Sequence, residues 1–281
     1  MPTGILAHHV SARLGWNELA TAMAPNMFDR AEQIEATIQR AGFLIRPGEP
    51  TLVLADEWPE RLRCASVLKP LLFWSARSLP PFDSDAGRWS RLARPAVCRS
   101  DNAATIEAWQ ACGGRRLLKE LSAKSSVAFA AEPGGARSFG RLLVNAGETA
   151  RAYASLVEAD QPSARQLLTW MREVPDRQTF GVRHAAAEEL GVRAERIAVK
   201  CGWYCARDEQ RIRTHAVTIT LTEEGIVGTA VLTAIPLDET RRRSYARRYR
   251  GGEGVLDLHE TLAGCELRMA TRQTLIDLRS A

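Results

Sequence analysis

The sequence has few residues of the kinds that hold metal ions or cross-link small secreted domains. Its six cysteines and five histidines are scattered over 281 residues, and no CxxC pair occurs. Zinc sites and disulfide frameworks depend on such spacings, so the sequence predicts neither a metal site nor a cofactor. We expect the cysteines to be reduced, mostly buried thiols.

Long apolar runs are also absent. No stretch approaches the roughly 18 to 20 apolar residues that span a bilayer. Residues 1–20 lack the basic and then apolar order of a secretory signal. The sequence alone therefore predicts a cytoplasmic chain that does not contact membranes, with monomer as the default oligomeric state.

Lysine is rare, since only four of the 38 basic residues are Lys, and the formal net charge is a modest +5. One basic cluster, residues 241–250, interleaves six arginines with Tyr245 and Tyr249. Such a cluster could contact nucleic acid or an acidic partner, but a solvated helix face is the simpler interpretation. No nucleic-acid-binding motif accompanies it, so we expect no nucleic-acid partner.

The composition, 45% hydrophobic and 25% charged, is that of a globular protein. We predict an N-terminal extension over residues 1–25 and a single domain over 26–281. Helical spacing predicts a first helix over about 26–41 with Gly42 as its C-cap. Two short strands around a Pro-Gly turn follow in residues 42–57, then a buried helix in 64–79.

Residues 80–100 are predicted to be loop-rich, and the later pattern gives four helices, three strands and a final helix. The helices fall at 101–114, 115–123, 149–160 and 163–174, the strands at 195–204, 214–222 and 226–236, and the last helix at 260–278. This order predicts an α/β protein of the α+β type, an antiparallel sheet flanked by helices. The sheet lobe takes about 26–75 and 180–281, and an all-helical lobe over about 76–179 is inserted. We expect a site in the cleft between the lobes.

Three short motifs occur in order: Ser66-Val67-Leu68-Lys69, Ser100-Asp101-Asn102 and Lys200-Cys201-Gly202. On a helix, residues i and i+3 share a face, so a hydroxyl and an amine stand side by side. A buried Lys near other cations loses affinity for its proton and can act as a base toward the serine. By chance, about 0.01 SDN triplets are expected in such a composition, and two of the four lysines occupy motif positions.

The three motifs resemble those of the serine β-lactamase and penicillin-binding protein superfamily, most closely its class A β-lactamases. Residues 64–73 resemble the nucleophile helix of that family, and residues 96–123 resemble its SDN segment with the two following helices. Residues 196–204 and 214–220 resemble the active-site edge strand and its neighbour. Similarity covers about residues 28–275. It implies a class A β-lactamase-like fold and a serine hydrolase that forms an acyl-enzyme.

Carried over to this sequence, the resemblance implies five catalytic or binding side chains. Ser66 is the acylated nucleophile, and Lys69 is its base or a relay to that base. Ser100 passes a proton to the leaving group. Asn102 hydrogen-bonds the substrate amide and Lys69, and Lys200 helps to hold a substrate carboxylate.

The same resemblance implies an oxyanion hole and a carboxylate anchor. The backbone N–H groups of Ser66 and of Trp203, which follows the motif glycine Gly202, form the oxyanion hole. Arg211 or Arg213 completes the anchor by bidentate pairing. The expected ligand is therefore a small-molecule substrate that carries a carboxylate.

The sequence departs from the family pattern at several positions. Cys201 stands where the family has Thr or Ser, which removes a hydroxyl that donates toward the substrate carboxylate. The Ω-loop Glu followed four residues later by Asn is missing. Glu132 is the nearby candidate for the deacylating base, with an ordinary loop acid as the alternative, while Glu148 falls where a helix starts. A disulfide between Cys64 and Cys205, as in some carbapenem-hydrolysing enzymes, is a further possibility.

Three functional hypotheses follow. The first is a serine hydrolase that cleaves an amide, ester or β-lactam bond. The second is an acyltransferase or tailoring enzyme of secondary metabolism that uses the same acyl-enzyme, because slow attack by water would favour another nucleophile. The third is a catalytically impaired binding protein with the same fold.

Overall fold

The structure is a computed structural model and describes residues 36–132, 139–205, 211–241, 243–244, 247 and 254–281. The predicted extension over residues 1–25 lies outside these residues, as do Tyr245 and Tyr249 of the basic cluster.

Eight strands and eight helices are used below. In chain order they are β1 (Thr37–Ile45), β2 (Leu52–Ala55), β3 (Leu62–Arg63), α1 (Lys69–Ala76), α2 (Ala86–Cys98), α3 (Asn102–Cys112), α4 (Gly114–Ser125), β4 (Ala130–Ala131), β5 (Leu142–Val144), α5 (Ala146–Glu158), α6 (Pro162–Arg172), α7 (Val182–Leu190), β6 (Ala198–Cys205), β7 (Arg211–Thr222), β8 (Gly225–Pro236) and α8 (Val255–Arg279).

The main sheet has five antiparallel strands in the order β2-β1-β8-β7-β6. It joins the first strands of the chain to the last three, which confirms the predicted sheet built from both ends. The strands β7 and β8 are rich in Val, Ile and Thr, whose branched side chains fit a pleated surface. The strand β6 forms one edge of this sheet.

The two faces of the main sheet carry different layers. Side chains alternate along a strand, so Lys200, Gly202 and Tyr204 share one face of β6, while Cys201 and Trp203 share the other. The face that bears Lys200 packs against α5 and α6 in the larger apolar cluster. The opposite face is covered by α7 and α8.

A second, small sheet has the order β3-β5-β4. It pairs the segment just before Ser66 with the segment that follows α4. Cys64 extends this contact, because its N–H donates to the Leu142 carbonyl at 2.9 Å. This small sheet is absent from the sequence prediction, since its strands are only two or three residues long.

The predicted helix over about 26–41 is wrong for its described part, because Thr37–Ile45 is the strand β1 and Gly42 lies inside it. The strand pairs with β2 on one side and β8 on the other, and it is buried on both faces. Ile38 and Ala41 stand three residues apart in this strand, which is also the spacing of a helix face. At Gly42 a Cβ would lie 2.6 Å from the Leu278 side chain, so glycine allows α8 to pack closely.

The predicted loop over residues 80–100 is also wrong over most of its length, since Ala86–Cys98 is α2. Asp85 caps this helix by accepting a hydrogen bond from the Arg88 N–H. Its buried residues Trp89, Leu92, Ala93 and Ala96 follow helical spacing. The breakers before Ala86 and the internal Pro95 obscured that spacing.

The other predicted helices are confirmed by α1, α3, α4, α5, α6 and α8, and Pro162 stands in the first turn of α6. The helix α7 was not predicted; it lies between Gly181 and Gly191, both with left-handed φ angles. Among the described helices, none has both the length and the apolar character required to cross a bilayer.

Candidate active site

Ser66 lies in a turn that leads into α1. Val67 donates its N–H to the Cys64 carbonyl at 3.1 Å, and Lys69 donates its N–H to the Ser66 carbonyl at 3.3 Å. Ala65 has a left-handed φ of 47°, a conformation that costs an alanine about 1–2 kcal/mol. The turn leaves Ser66 half-buried while Val67 and Lys69 are buried.

Two contacts hold this turn in place. The buried Tyr153 hydroxyl donates to the Val67 carbonyl at 2.6 Å. On the other side, Gly202 lies so close that a Cβ built there would be 2.5 Å from the Ser66 backbone nitrogen and 2.8 Å from that of Val67. Any larger residue would displace the edge strand, so glycine brings β6 next to Ser66.

Lys69 is buried and connects α1 to the SDN segment. Its Nζ donates to the Ser100 carbonyl at 2.5 Å and to Asn102 Oδ1 at 2.8 Å, with a longer contact of 3.3 Å to the Asp101 carbonyl. Burial and the nearby Lys200 lower the pKa of Lys69 to about 6. A neutral amine has two N–H groups, which match the two short hydrogen bonds, and it keeps a lone pair that can accept a proton.

Lys200 connects β6 to the same segment. Its Nζ donates to Ser100 Oγ at 2.6 Å and to the Cys201 carbonyl at 2.8 Å. Burial lowers the pKa of Lys200 to about 8. Asp101 positions the segment by accepting a hydrogen bond from the Ala104 N–H as the N-cap of α3. The structure therefore brings six predicted residues together: Ser66, Lys69, Ser100, Asn102, Lys200 and Gly202.

The protein is similar to the chromosome-encoded β-lactamase of Vibrio parahaemolyticus, with a TM-score of 0.55 and 12% identity over 89% of this chain and 96% of that one. It is also similar to a β-lactamase from Burkholderia vietnamiensis, with a TM-score of 0.54 and 15% identity over 89% and 94% of the two chains. A class A β-lactamase from Bacteroides cellulosilyticus gives a TM-score of 0.53 and 11% identity over 86% and 93%.

The chain has the class A β-lactamase fold. The expected architecture is thus confirmed. No protein-family model matches the sequence, and no curated protein matches it.

Within this β-lactamase fold, Cys201 does not face the candidate site. Its fully buried thiol lies in the apolar layer under α7 and α8, on the face of β6 opposite Lys200 and Gly202. Burial raises the pKa of Cys201 to about 12. The thiol is therefore not placed to contact a substrate carboxylate. The Trp203 ring lies on the same face and packs edge-to-face against Phe180, with ring centroids 5.8 Å apart.

The two candidate anchor arginines lie on β7. Arg213 is the cross-strand partner of Tyr204 and shares the face of Lys200 and Gly202. Arg211 instead reaches toward β1, with its Nη1 3.4 Å from Thr37 Oγ1. Of the two, Arg213 is better placed for a ligand beside β6.

The acidic candidates both form ion pairs. Glu132 pairs with Arg63. Glu148 pairs with Arg61 and forms a reciprocal capping box with Asn145 at the start of α5, as its position in the sequence indicated. Among the described residues, no carboxylate is hydrogen-bonded to Ser66 or Lys69.

His215 is a site residue that sequence analysis missed. Its Nδ1 accepts a hydrogen bond from the Thr233 N–H at 3.2 Å, and its Nε2 lies 2.8 Å from the Arg63 carbonyl. Burial lowers the pKa of His215 to about 4, so the ring is neutral and Nε2–H donates to Arg63. This bond attaches β3 to the main sheet directly before Ser66. No sequence motif marks His215; its place beside the candidate site follows only from its cross-strand pairing with Gly202.

All six cysteines are free thiols. A Cys64–Cys205 disulfide is not formed. The Cys64 thiol is buried near the Phe139 carbonyl, on the side of the small sheet. Cys205 packs with Ile212 and Leu258 on the opposite face of the main sheet.

Proposed function

We propose that this protein is an active-site serine hydrolase of β-lactamase type, which cleaves an amide, ester or β-lactam bond through an acyl group on Ser66. The observation that carries this proposal is the convergence of two buried lysines on Ser100. Lys69 binds its carbonyl, Lys200 binds its hydroxyl, and Gly202 places the same strand against Ser66. Two buried amines in one pocket cost stability, which argues for a functional rather than a structural role.

Acylation would proceed in two steps. Neutral Lys69 accepts the proton of Ser66 Oγ, which attacks the substrate carbonyl carbon. Backbone N–H groups of Ser66 and Trp203 stabilise the oxyanion. Ser100 then gives its proton to the leaving nitrogen or oxygen and recovers one from Lys69, so that the leaving group departs and the acyl group stays on Ser66.

The charge of Lys200 favours a substrate with a carboxylate. A protonated amine next to Ser100 offers an anionic group a charge-assisted hydrogen bond. Arg213 stands on the same face of the sheet and supplies a second cation. A small molecule with a carboxylate near its scissile bond is therefore the proposed substrate class.

A transferase outcome is the second candidate, and the position of Glu132 favours it. Hydrolysis of an acyl-serine needs a base for water, and this carboxylate is engaged by Arg63. An amine or alcohol acceptor would then release the acyl group more readily than water. Acyl transfer in secondary metabolism is therefore the second proposed function.

Intact-protein mass spectrometry after treatment with a penicillin tests the proposal. We expect one covalent adduct, located on Ser66 by peptide mapping, that is lost in Ser66→Ala. The matched control is Ser84→Ala, an exposed loop serine, which should keep the adduct. Absence of any adduct with penicillins and with activated esters would favour a binding protein that has the fold without the chemistry. Product partition between water and added amines separates hydrolase from transferase.

A further inference from the structure

Arg63 connects three segments around the candidate site. Its guanidinium pairs with the Glu132 carboxylate, and its Nη1 donates to the Tyr204 hydroxyl at 2.9 Å. The guanidinium carbon also lies 5.7 Å from the centre of the Tyr204 ring. The side chain of Arg63 is 11% exposed and that of Glu132 is 21% exposed, so both are largely withdrawn from water. The contacts tie together β3, the end of β4 and the edge strand β6.

Glu132 lies close enough to the nucleophile to matter. Ala131, which precedes it, is the cross-strand partner of Leu142, and Cys64 donates to the Leu142 carbonyl from the other side of β5. Adjacent strands are about 4.8 Å apart, so roughly 10 Å separate the backbones at 131 and 64. The partner of Glu132, Arg63, lies three residues before Ser66 and donates to Tyr204, which stands two residues after Gly202, the residue packed against the Ser66 backbone.

The register explains why the carboxylate turns to Arg63 instead. Arg63 and Ala130 are both cross-strand partners of Leu143. Residues two apart on a strand share a face, so Glu132 continues the face that carries Arg63. The Arg63 guanidinium therefore pairs with the Glu132 carboxylate, and the same guanidinium donates a hydrogen bond to the Tyr204 hydroxyl.

We propose that Arg63 is a positioning residue that determines the fate of the acyl-enzyme by holding Glu132 away from the hydrolytic water. This inference rests on the proposed function. With Glu132 released, the oxygen of a water molecule attacks the acyl carbon while its proton passes to the carboxylate. The bond from that carbon to Ser66 Oγ then breaks, and the serine takes the proton back from Glu132. The products are a free acid and regenerated Ser66.

The test measures acylation and deacylation separately by following the Ser66 adduct with mass spectrometry. The readout is the ratio of the deacylation to the acylation rate constant. We expect this ratio to rise at least tenfold in Arg63→Gln and to return to the wild-type value in the double variant Arg63→Gln/Glu132→Gln. Arg63→Lys keeps the positive charge, so its ratio of deacylation to acylation should stay below that of Arg63→Gln. Arg94→Gln, which breaks a surface ion pair with Glu173, is the matched control.

A pH profile separates a released base from a loosened loop. Deacylation of Arg63→Gln should rise with pH through the range in which a carboxylic acid ionises, about pH 4 to 5, and this rise should vanish with Gln at position 132. Equal acceleration in the double variant would overturn the inference, because water would then be entering without a base. An unchanged ratio in folded Arg63→Gln would overturn it as well.

Tyr204→Phe provides a second route if Arg63→Gln does not fold. It removes one hydrogen bond from the guanidinium and keeps the ring, so we expect a smaller rise that again depends on Glu132. No rise in folded Tyr204→Phe would count against the inference. If the wild type forms no Ser66 adduct at all, the proposed function itself fails. If the adduct forms but its lifetime is the same in the wild type and in the Arg63 variants, only the inference about Arg63 fails.

Discussion

The side chains of the candidate site depend on burial for their chemistry. Lys69 and Lys200 are both nearly fully buried, and this burial is the main cause of their lowered pKa values. The two amines stay distinct because Lys69 also feels the charge of Lys200. Near neutral pH, Lys69 can therefore be neutral while Lys200 keeps its proton.

This difference predicts a bell-shaped pH dependence of acylation. As the pH falls through about 6, Lys69 takes up a proton and can no longer accept one from Ser66, so the rate decreases. As the pH rises through about 8, Lys200 loses the charge that holds a substrate carboxylate, so the rate decreases again. Acylation rates of an anionic penicillin between pH 5 and 10 measure both limbs.

A neutral substrate is the control for this profile. An activated ester without a carboxylate should keep the acidic limb and lose most of the alkaline one. A profile that stays flat between pH 5 and 7 would contradict the role of Lys69 as base.

The secondary-structure elements act through close contacts between β6 and the turn at Ser66. Gly202 makes that contact possible, and the neighbouring β3 is attached to the sheet through His215. The edge strand and the nucleophile are therefore packed against each other, although they are distant in the sequence.

Gly202→Ala should push the strand β6 and the turn at Ser66 apart. The added Cβ meets backbone atoms, which cannot rotate away, so β6 or the turn must shift. A displacement of about 1 Å at a reacting group can cost 100-fold in rate, and we expect a loss of at least tenfold in acylation of Ser66, measured by single-turnover kinetics.

Gly87→Ala is the matched control for that variant. Gly87 lies in α2, and a Cβ there makes only an ordinary contact of 3.4 Å with Asp85. Because alanine is the better helix former, Gly87→Ala should retain the acylation rate with equal or higher stability. A Gly202→Ala enzyme that acylates like the wild type would show that the contact is not required.

Two neutral, buried histidines link the layers of the molecule within the described part of the chain. His215 joins the small sheet to the main sheet, and His259 of α8 lies 2.7 Å from Thr214 Oγ1 through its Nδ1. Burial lowers the pKa of His215 to about 4 and that of His259 to about 3. Protonation of either ring would place a positive charge inside the fold, where burial disfavours it.

The free energy of unfolding should therefore fall with acidification. In the unfolded chain each histidine takes up a proton near pH 6.5, whereas in the folded chain it does so only near pH 4 or below. The free energy of unfolding therefore has its full value above pH 6.5 and decreases as the pH falls below it. For His215 the loss is about 3 kcal/mol. Urea denaturation between pH 7 and 4 measures it.

His215→Gln should flatten this dependence, and His184→Gln should not, because His184 is exposed. An unchanged slope in His215→Gln would exclude the histidine as its source.

The sequence by itself determined the chemical groups of the candidate site and their order along the chain. A hydroxyl three residues before a lysine, an SDN triplet and a lysine two residues before a glycine are local patterns. The helix α1 is a buried apolar run with Pro70 in its first turn, α3 begins at the side-chain cap Asp101, and the strands β7 and β8 have β-branched composition. These local signals predicted a sheet built from both ends of the chain with helices inserted, and the resemblance of the three motifs to those of class A β-lactamases implied the fold.

Only the tertiary structure decided how the other elements and side chains are used. Residues 37–45 form a strand because β2 and β8 satisfy their backbone on both sides, which outweighs a helix-like apolar pattern. The face of Cys201, the bond from His215 to Arg63 and the capture of Glu132 each depend on a register between distant segments. Backbone hydrogen bonds join such strands, and any residue except proline can make them, so the local sequence does not show which distant segments pair.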